Sequence, residues 1–170
     1  DIRGRVLEIG DNTYTRRFGA DRVAVSDVLH VEDGNPLATI VADLTKADHI
    51  PAEIFDCIIF TQTLNRIYDP GAALRTLSRI LKPHGVLLAT FPGITRTDLC
   101  EPAGPWYWSF TSASARRLFE EVFSPANVVI ESYGNVLVAT SFLYGLATEE
   151  VSQQELEHRD PDYEVLITAR

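Results

Sequence analysis

Phe55-Asp56-Cys57-Ile58-Ile59-Phe60-Thr61 is an apolar run interrupted only by Asp56, short enough for a strand and hydrophobic enough to be covered on both faces. Downstream, Ala73, Leu74, Leu77, Ile80 and Leu81 recur at spacings of three and four while Arg75, Arg79 and Lys82 fall elsewhere, which predicts an amphipathic helix over residues 71–81. Lys82-Pro83-His84-Gly85 should stop it, because proline disfavours helix at the residue before it and glycine accepts the left-handed turn that redirects the chain. Val86 to Phe91 is then the next strand, closed by Pro92-Gly93. Two strands joined by a crossover helix lie parallel, so this unit places the chain among α/β sheets.

The flanks repeat the pattern. Arg5 to Gly10, Arg22 to Asp27 and Ala38 to Asp43 read as three earlier strands, the first ending on a glycine and the others on acids. Residues 94–109 hold two prolines, a glycine and Trp106-Tyr107-Trp108 without any period, and read as a long loop of the kind that is usually functional. Thr111 is the expected N-cap of a helix through Phe123, with Arg116–Glu120 and Arg117–Glu121 as i,i+4 pairs. Asn127 to Ser132 is a sixth strand, Asn135 caps an apolar helix over Val136 to Ala147, and Tyr163 to Thr168 is a last strand.

At 170 residues the chain is sized for one domain, and 45% hydrophobic with 23% charged residues suits a folded core. The net charge is −9, and residues 145–170 carry seven acids against two bases, which disfavours nucleic acid and anionic membrane as partners. Cys57 and Cys100 stand apart without metal-ligand spacing, so neither a disulfide framework nor a zinc site is signalled and a reducing, cytoplasmic location is expected. No apolar run reaches the roughly 18 residues of a membrane span. The absence of any methionine leads us to expect a single domain, residues 1–170, excised from a longer polypeptide whose other domains could be partners.

In open parallel sheets ligands sit beyond the carboxyl ends of the strands, so Gly10 to Tyr14, Asp27, Asp43, Thr61 to Asn65 and the chain after Pro92 are where function is expected. Glycine after the first strand lets backbone approach a ligand, and an acid ending the second can take ribose hydroxyls. Asp27 follows Gly10 by 17 positions, close to the roughly 20 of nucleotide folds. Asp43 sits where an adenine amine could be met.

The chain from about residue 4 to 170 resembles the class I, Rossmann-like methyltransferases that use S-adenosylmethionine. Val6-Leu7-Glu8-Ile9-Gly10 looks like their first motif, Asp27 like their ribose acid, Asp43-Leu44 like their adenine-side acid, residues 55–59 like their fourth strand, and Leu81-Lys82-Pro83-His84-Gly85-Val86-Leu87 like the entry to their fifth. The resemblance implies a three-layer sheet of about seven mostly parallel strands, the last antiparallel, and a cofactor over Glu8, Gly10, Asp11, Asn12, Tyr14, Asp27, Asp43, Leu44, Thr61 and Gln62. The chain departs from the family after the first strand: where E-x-G-x-G-x-G is usual it has Glu8-Ile9-Gly10-Asp11-Asn12-Thr13-Tyr14, one glycine of three. Asn12 is a residue that tolerates the left-handed conformation, and Tyr14 either fills the site or stacks beside it.

Methyl transfer demands alignment and exclusion of water more than conspicuous catalytic side chains, and none is singled out. Gln62, Thr63, Asn65 and Tyr68 either orient an acceptor or cap the following turn; Trp106, Tyr107 and Trp108 either wall an acceptor site or pack in the core. The string Trp106 to Thr111 resembles a segment of methyltransferases found beside glycan and natural-product pathways, which implies a small-molecule acceptor such as a sugar. Two functions stay open: a methyltransferase, or a methyltransferase-like module that binds or scaffolds without catalysis.

Overall fold

The computed structural model describes residues 1–97 and 104–170; Cys100 and the neighbouring part of the long loop lie outside the described residues. Seven strands form one sheet in the order β3-β2-β1-β4-β5-β7-β6. They are β1 (Gly4–Ile9), β2 (Val23–His30), β3 (Ile40–Val41), β4 (Phe55–Thr61), β5 (Leu81–Pro92), β6 (Ile130–Tyr133) and β7 (Leu166–Ala169). β1 to β5 run parallel, and β7 inserts antiparallel between β5 and β6. The sheet is therefore the one expected, with its strand order reversing between β1 and β4, where an open α/β sheet binds ligands at the carboxyl ends.

Local chemistry fixes the helices. Asp69 accepts the Ala72 N–H at 2.8 Å and Pro70 occupies the first turn, so α1 (Pro70–Ile80) starts where its missing proline donor is harmless. Thr111 and Ser114 form a capping box at the head of α2 (Ser112–Glu120), and Asn135 accepts the Val138 N–H at the head of α3 (Val136–Tyr144), which Gly145 ends in the left-handed conformation. α4 (Gln153–Glu157) is a single turn before β7. No helix among the described residues is long and apolar enough to cross a membrane.

The main core lies on the face carrying Leu7, Ile58, Leu87, Ala89 and Phe91, packed against Leu74, Leu77, Ile80 and Phe119 from α1 and α2. Val6, Cys57 and Ile59 form a smaller cluster on the other face. The crossover between β1 and β2 occupies residues 10–22, with only a π-helical turn, Thr15–Gly19, and a 3-10 turn, Ala20–Arg22.

Several expected boundaries move. β5 begins at Leu81, paired with Phe55, and resumes regular pairing at Cys57 and Val86, so Lys82 to Gly85 is a bulge within the strand and not a separate stop. His84 takes φ +64° there. The helix expected through Phe123 ends at Glu120, β3 is two residues long, and β6 and β7 start later than expected. β2 continues to His30 because its ladder with β1 runs on to the Ile9–Leu29 pair, so Asp27 lies inside the strand instead of ending it.

Candidate functional site

The first strand exit is built around Glu8 and Gly10. Glu8 is 1% exposed, and its two carboxylate oxygens accept the Tyr14 N–H at 3.0 Å, the Thr15 N–H at 2.8 Å and the Thr15 hydroxyl at 2.7 Å. One buried carboxylate thus satisfies the donors at the start of the π-helical turn, bending residues 10–15 back over the strand that carries it. Gly10 takes φ +86°, and a Cβ there would meet no atom within 4 Å: the turn is left-handed and faces open space. Its N–H donates to Leu29 O at 2.9 Å and its carbonyl accepts from Asn35 Nδ2 at 2.6 Å. Asn35, remote in sequence, clamps the turn to the loop after β2; no periodicity or motif marks it.

Gly10 alone in this turn has positive φ, so the tolerance expected of Asn12 is not used; Asn12 instead accepts the Arg16 N–H through its carbonyl. The Asp11 carboxylate accepts the Thr13 N–H at 2.7 Å, which holds its pKa below the usual value. Tyr14 is 45% exposed and stacks on Phe18, with ring centroids 6.0 Å apart and planes at 17°.

The acids of the next two strands occupy different positions from those expected. Asp27 is 7% exposed, on the face of the sheet shared with Leu7, and its carboxylate accepts from Arg5 Nε at 2.7 Å and the Thr39 hydroxyl at 3.0 Å. It neutralises Arg5 and joins β2 to the β3 approach, so the expectation that it stands free at a strand exit is corrected. The groups beyond the β2 exit are His30 and Glu32, where Nδ1 of His30 lies 2.8 Å from Glu32 O and 3.3 Å from Glu32 N. Asp43 is exposed after β3; its Oδ1 accepts the Thr45 N–H and hydroxyl, which together hold its pKa low and leave Oδ2 for solvent or ligand. The Leu44 side chain is 4% exposed within the main core, so only its backbone can serve a ligand.

At the β4 exit, Gln62 takes φ +49°, a strained region for a residue with a side chain, and is held there by its N–H to Thr90 O at 2.8 Å and its amide to the Thr90 hydroxyl at 3.3 Å. The Thr63 hydroxyl donates back to Thr61 O at 2.8 Å and makes no cap bond to the turn Leu64–Arg66, so the expectation that it caps that turn is corrected. Asn65 is buried, and its carbonyl accepts the N–H groups of Tyr107 and Trp108, bringing the aromatic string to the β4 exit across a long sequence gap. Tyr68 lies 5.3 Å from Tyr107 and 6.3 Å from Trp108 between ring centroids, while Trp106 is half-buried beneath the Arg66 guanidinium. Tyr68, Tyr107 and Trp108 are exposed, so the outward aromatic wall, and not core packing, describes them.

The strand exits thus carry a clamped, open glycine turn, an exposed acid after β2 and another after β3, a strained glutamine and an aromatic surface. A family model described as a methyltransferase domain matches residues 14–89. No curated protein sequence matches the chain. Among solved structures, a phosphoethanolamine N-methyltransferase of Haemonchus contortus, in complex with phosphomonomethylethanolamine and S-adenosylhomocysteine, is similar at 13% identity and TM-score 0.61, over 98% of this chain and 48% of that one. An S-adenosylmethionine-dependent methyltransferase of Archaeoglobus fulgidus is similar at 10% identity and TM-score 0.62, over 98% and 85%. The [4+2]-cyclase SpnF is similar at 20% identity and TM-score 0.52, over 83% and 56%, so the fold alone does not dictate the reaction. The chain spans about half the length of the Haemonchus protein.

Proposed function

We propose that this chain, a class I S-adenosylmethionine-dependent methyltransferase by its fold and by the methyltransferase domain it matches, transfers a methyl group to a small-molecule acceptor held at the β4 exit. The observation that carries the reading is the Gly10 turn. It is left-handed, open where a side chain would stand, and fixed from three sides by Glu8, Leu29 and Asn35, which suits the close backbone approach that a nucleoside cofactor makes at the first strand of such a sheet. Residues 10–14 would hold the amino-acid part of the cofactor, the carboxylate of Glu32 the ribose, and the free Oδ2 of Asp43 the adenine side, with Thr61 and Gln62 below the reacting centre. Glu32 replaces Asp27 in this assignment, because the Asp27 carboxylate is spent on Arg5 and Thr39.

Bound there, S-adenosylmethionine supplies a methyl group activated by its sulfonium. What the chain contributes is alignment: Gln62 is held in one backbone conformation by Thr90, and the ring surface of Tyr68, Tyr107 and Trp108 excludes water on the acceptor side. The test is calorimetric titration of the full-length protein with S-adenosylmethionine and S-adenosylhomocysteine. Saturable binding of both is expected; no heat and no thermal shift from either, in folded samples, would refute the reading. A second reading, a methyltransferase-like module that binds without catalysis, is favoured by one observation: a single glycine of the usual three remains, and only that one takes positive φ. Binding of S-adenosylhomocysteine without S-adenosylmethionine turnover across an acceptor panel would select it.

A further inference from the structure

A cavity of about 670 Å³ opens at the amino end of β5, at the end of the sheet opposite the strand exits. Its volume lies within the roughly 300–1,000 Å³ of small-molecule sites. Two of the four non-glycine residues with positive φ among those described line it, Glu53 at +56° and His84 at +64°. Glu53 has a structural reason for its conformation, because its N–H donates to Arg79 O at 3.0 Å and closes the end of α1. His84 is different. Gly85, the next residue and the type suited to a left-handed turn, does not take positive φ; a Cβ there would come within 2.8 Å of Leu81 Cγ, so the glycine supplies room while the histidine bears the strain. Strain carried by a side chain whose neighbour could have taken it marks a group presented for use. The His84 imidazole is exposed and has no hydrogen-bond or ion-pair partner among the described residues.

The walls limit what fits. Leu87, Phe119 and Val128 are buried at the base, with Leu81 and Phe123 half-buried beside them, so the interior is apolar. Polar side chains form the rim, and donors outnumber acceptors there. Lys82 and Arg170 only donate, and Ser78, His84 and Asn127 can donate, against one lining carboxylate among the described residues, Glu53. Both cations are balanced from outside the cavity. Lys82 Nζ reaches the two Asp56 oxygens at 2.9 Å, which leaves one of its three N–H groups; Arg170 holds Asp1 through Nε at 3.0 Å and Nη2 at 3.1 Å, which leaves Nη1. A rim rich in donors yet close to neutral suits a single carboxylate and not a phosphate dianion, and the net charge of −9 also opposes a multiply charged anion. We propose that this cavity is a second binding site, for an apolar monocarboxylate, with the hydrocarbon against Leu87, Phe119 and Val128 and the carboxylate at His84. Glu53, at the α1 end of the rim, turns the head group toward the β5 bulge. The site is independent of the methyltransfer reading, since none of the residues assigned to the cofactor lines it.

The experiment titrates the full-length protein by calorimetry with decanoate below its micelle concentration, and with decylamine, inorganic phosphate and acetate as comparisons. Decanoate is expected to saturate one site, roughly tenfold or more tighter than any of the three. His84→Gly removes the strain and the head-group contact together, so it should weaken decanoate at least roughly fivefold without lowering the thermal midpoint. Glu53→Gln removes the acid from the rim and should tighten decanoate. Ala126→Trp, at an exposed residue of the lining, fills the cavity from its rim; it should abolish binding and leave the midpoint within about 2 °C of native. No saturable binding of decanoate, equal or tighter binding of any comparison compound, or decanoate binding that survives Ala126→Trp overturns the inference. So does a His84→Gly variant that keeps its affinity or loses stability, or a Glu53→Gln variant that binds more weakly. Decanoate is titrated without cofactor, so its failure to bind leaves the methyltransferase reading untouched, and a failure to bind S-adenosylhomocysteine leaves this site standing.

Discussion

Replacing Glu8 by alanine tests the cradle at its foundation. The carboxylate is buried and receives three hydrogen bonds, two of them from the N–H and hydroxyl of Thr15, itself 2% exposed. Hydrogen bonds to a charged group contribute about 1.5–3 kcal/mol each, but three on one acceptor are not additive, and the cavity admits some rearrangement. A loss of about 3 kcal/mol is the working figure. At roughly 2–4 °C per kcal/mol for a chain of this size, the thermal midpoint should fall by about 6–12 °C. Glu8→Gln keeps one acceptor oxygen but sets an amide N–H₂ against a backbone N–H, and should lie between alanine and the native protein. Both variants free residues 10–15 from the strand, so S-adenosylhomocysteine affinity should fall by more than about tenfold, equivalent to 1.4 kcal/mol. Scanning calorimetry and titration read the two effects separately. A midpoint within about 2 °C of native for Glu8→Ala, or unchanged affinity, would refute the reasoning that the carboxylate holds the turn.

Gly10→Ala should cost about 1 kcal/mol, the strain of a left-handed alanine, because its Cβ meets nothing, yet it should abolish S-adenosylhomocysteine binding by filling the cradle; native-like affinity would remove Gly10 from the site. Asp56 accepts the Arg5 N–H and both of its oxygens bond Lys82, which lowers its pKa. Its contribution is therefore present above the usual carboxylate range and lost as pH falls through the lowered value, so Asp56→Asn should flatten the acid limb of a stability profile, and an unchanged limb would show the pair to be inert. Burial pushes the Cys57 thiol up to about 11, so native protein at pH 8 should leave the Cys57 peptide unalkylated in mass spectra until denaturant is added.

Where local chemistry decides, the chain is read correctly from its letters. The β4 apolar run, the α1 stripe and the caps at Thr111 and Asn135 each depend on neighbours within a few residues, and each appears as expected. The strand-exit residues likewise gather at one end of the sheet, because parallel connection through crossovers leaves no other end for them.

Position along a strand is set by pairing, and pairing joins residues far apart in sequence. β2 runs past Asp27 to His30 because β1 offers partners as far as Ile9, and Asp27 can be buried there only because Arg5 and Thr39 meet it. Asn35 on the Gly10 carbonyl and Asn65 beneath the aromatic loop are contacts of the same long-range kind. The order of amino acids by itself determined the sheet, its helices and the end at which the strand-exit residues gather, since short-range propensity and periodicity suffice for those. Which acid stands free and which is neutralised were decided only by the tertiary structure, because burial and partnership are properties of what the folded chain brings together.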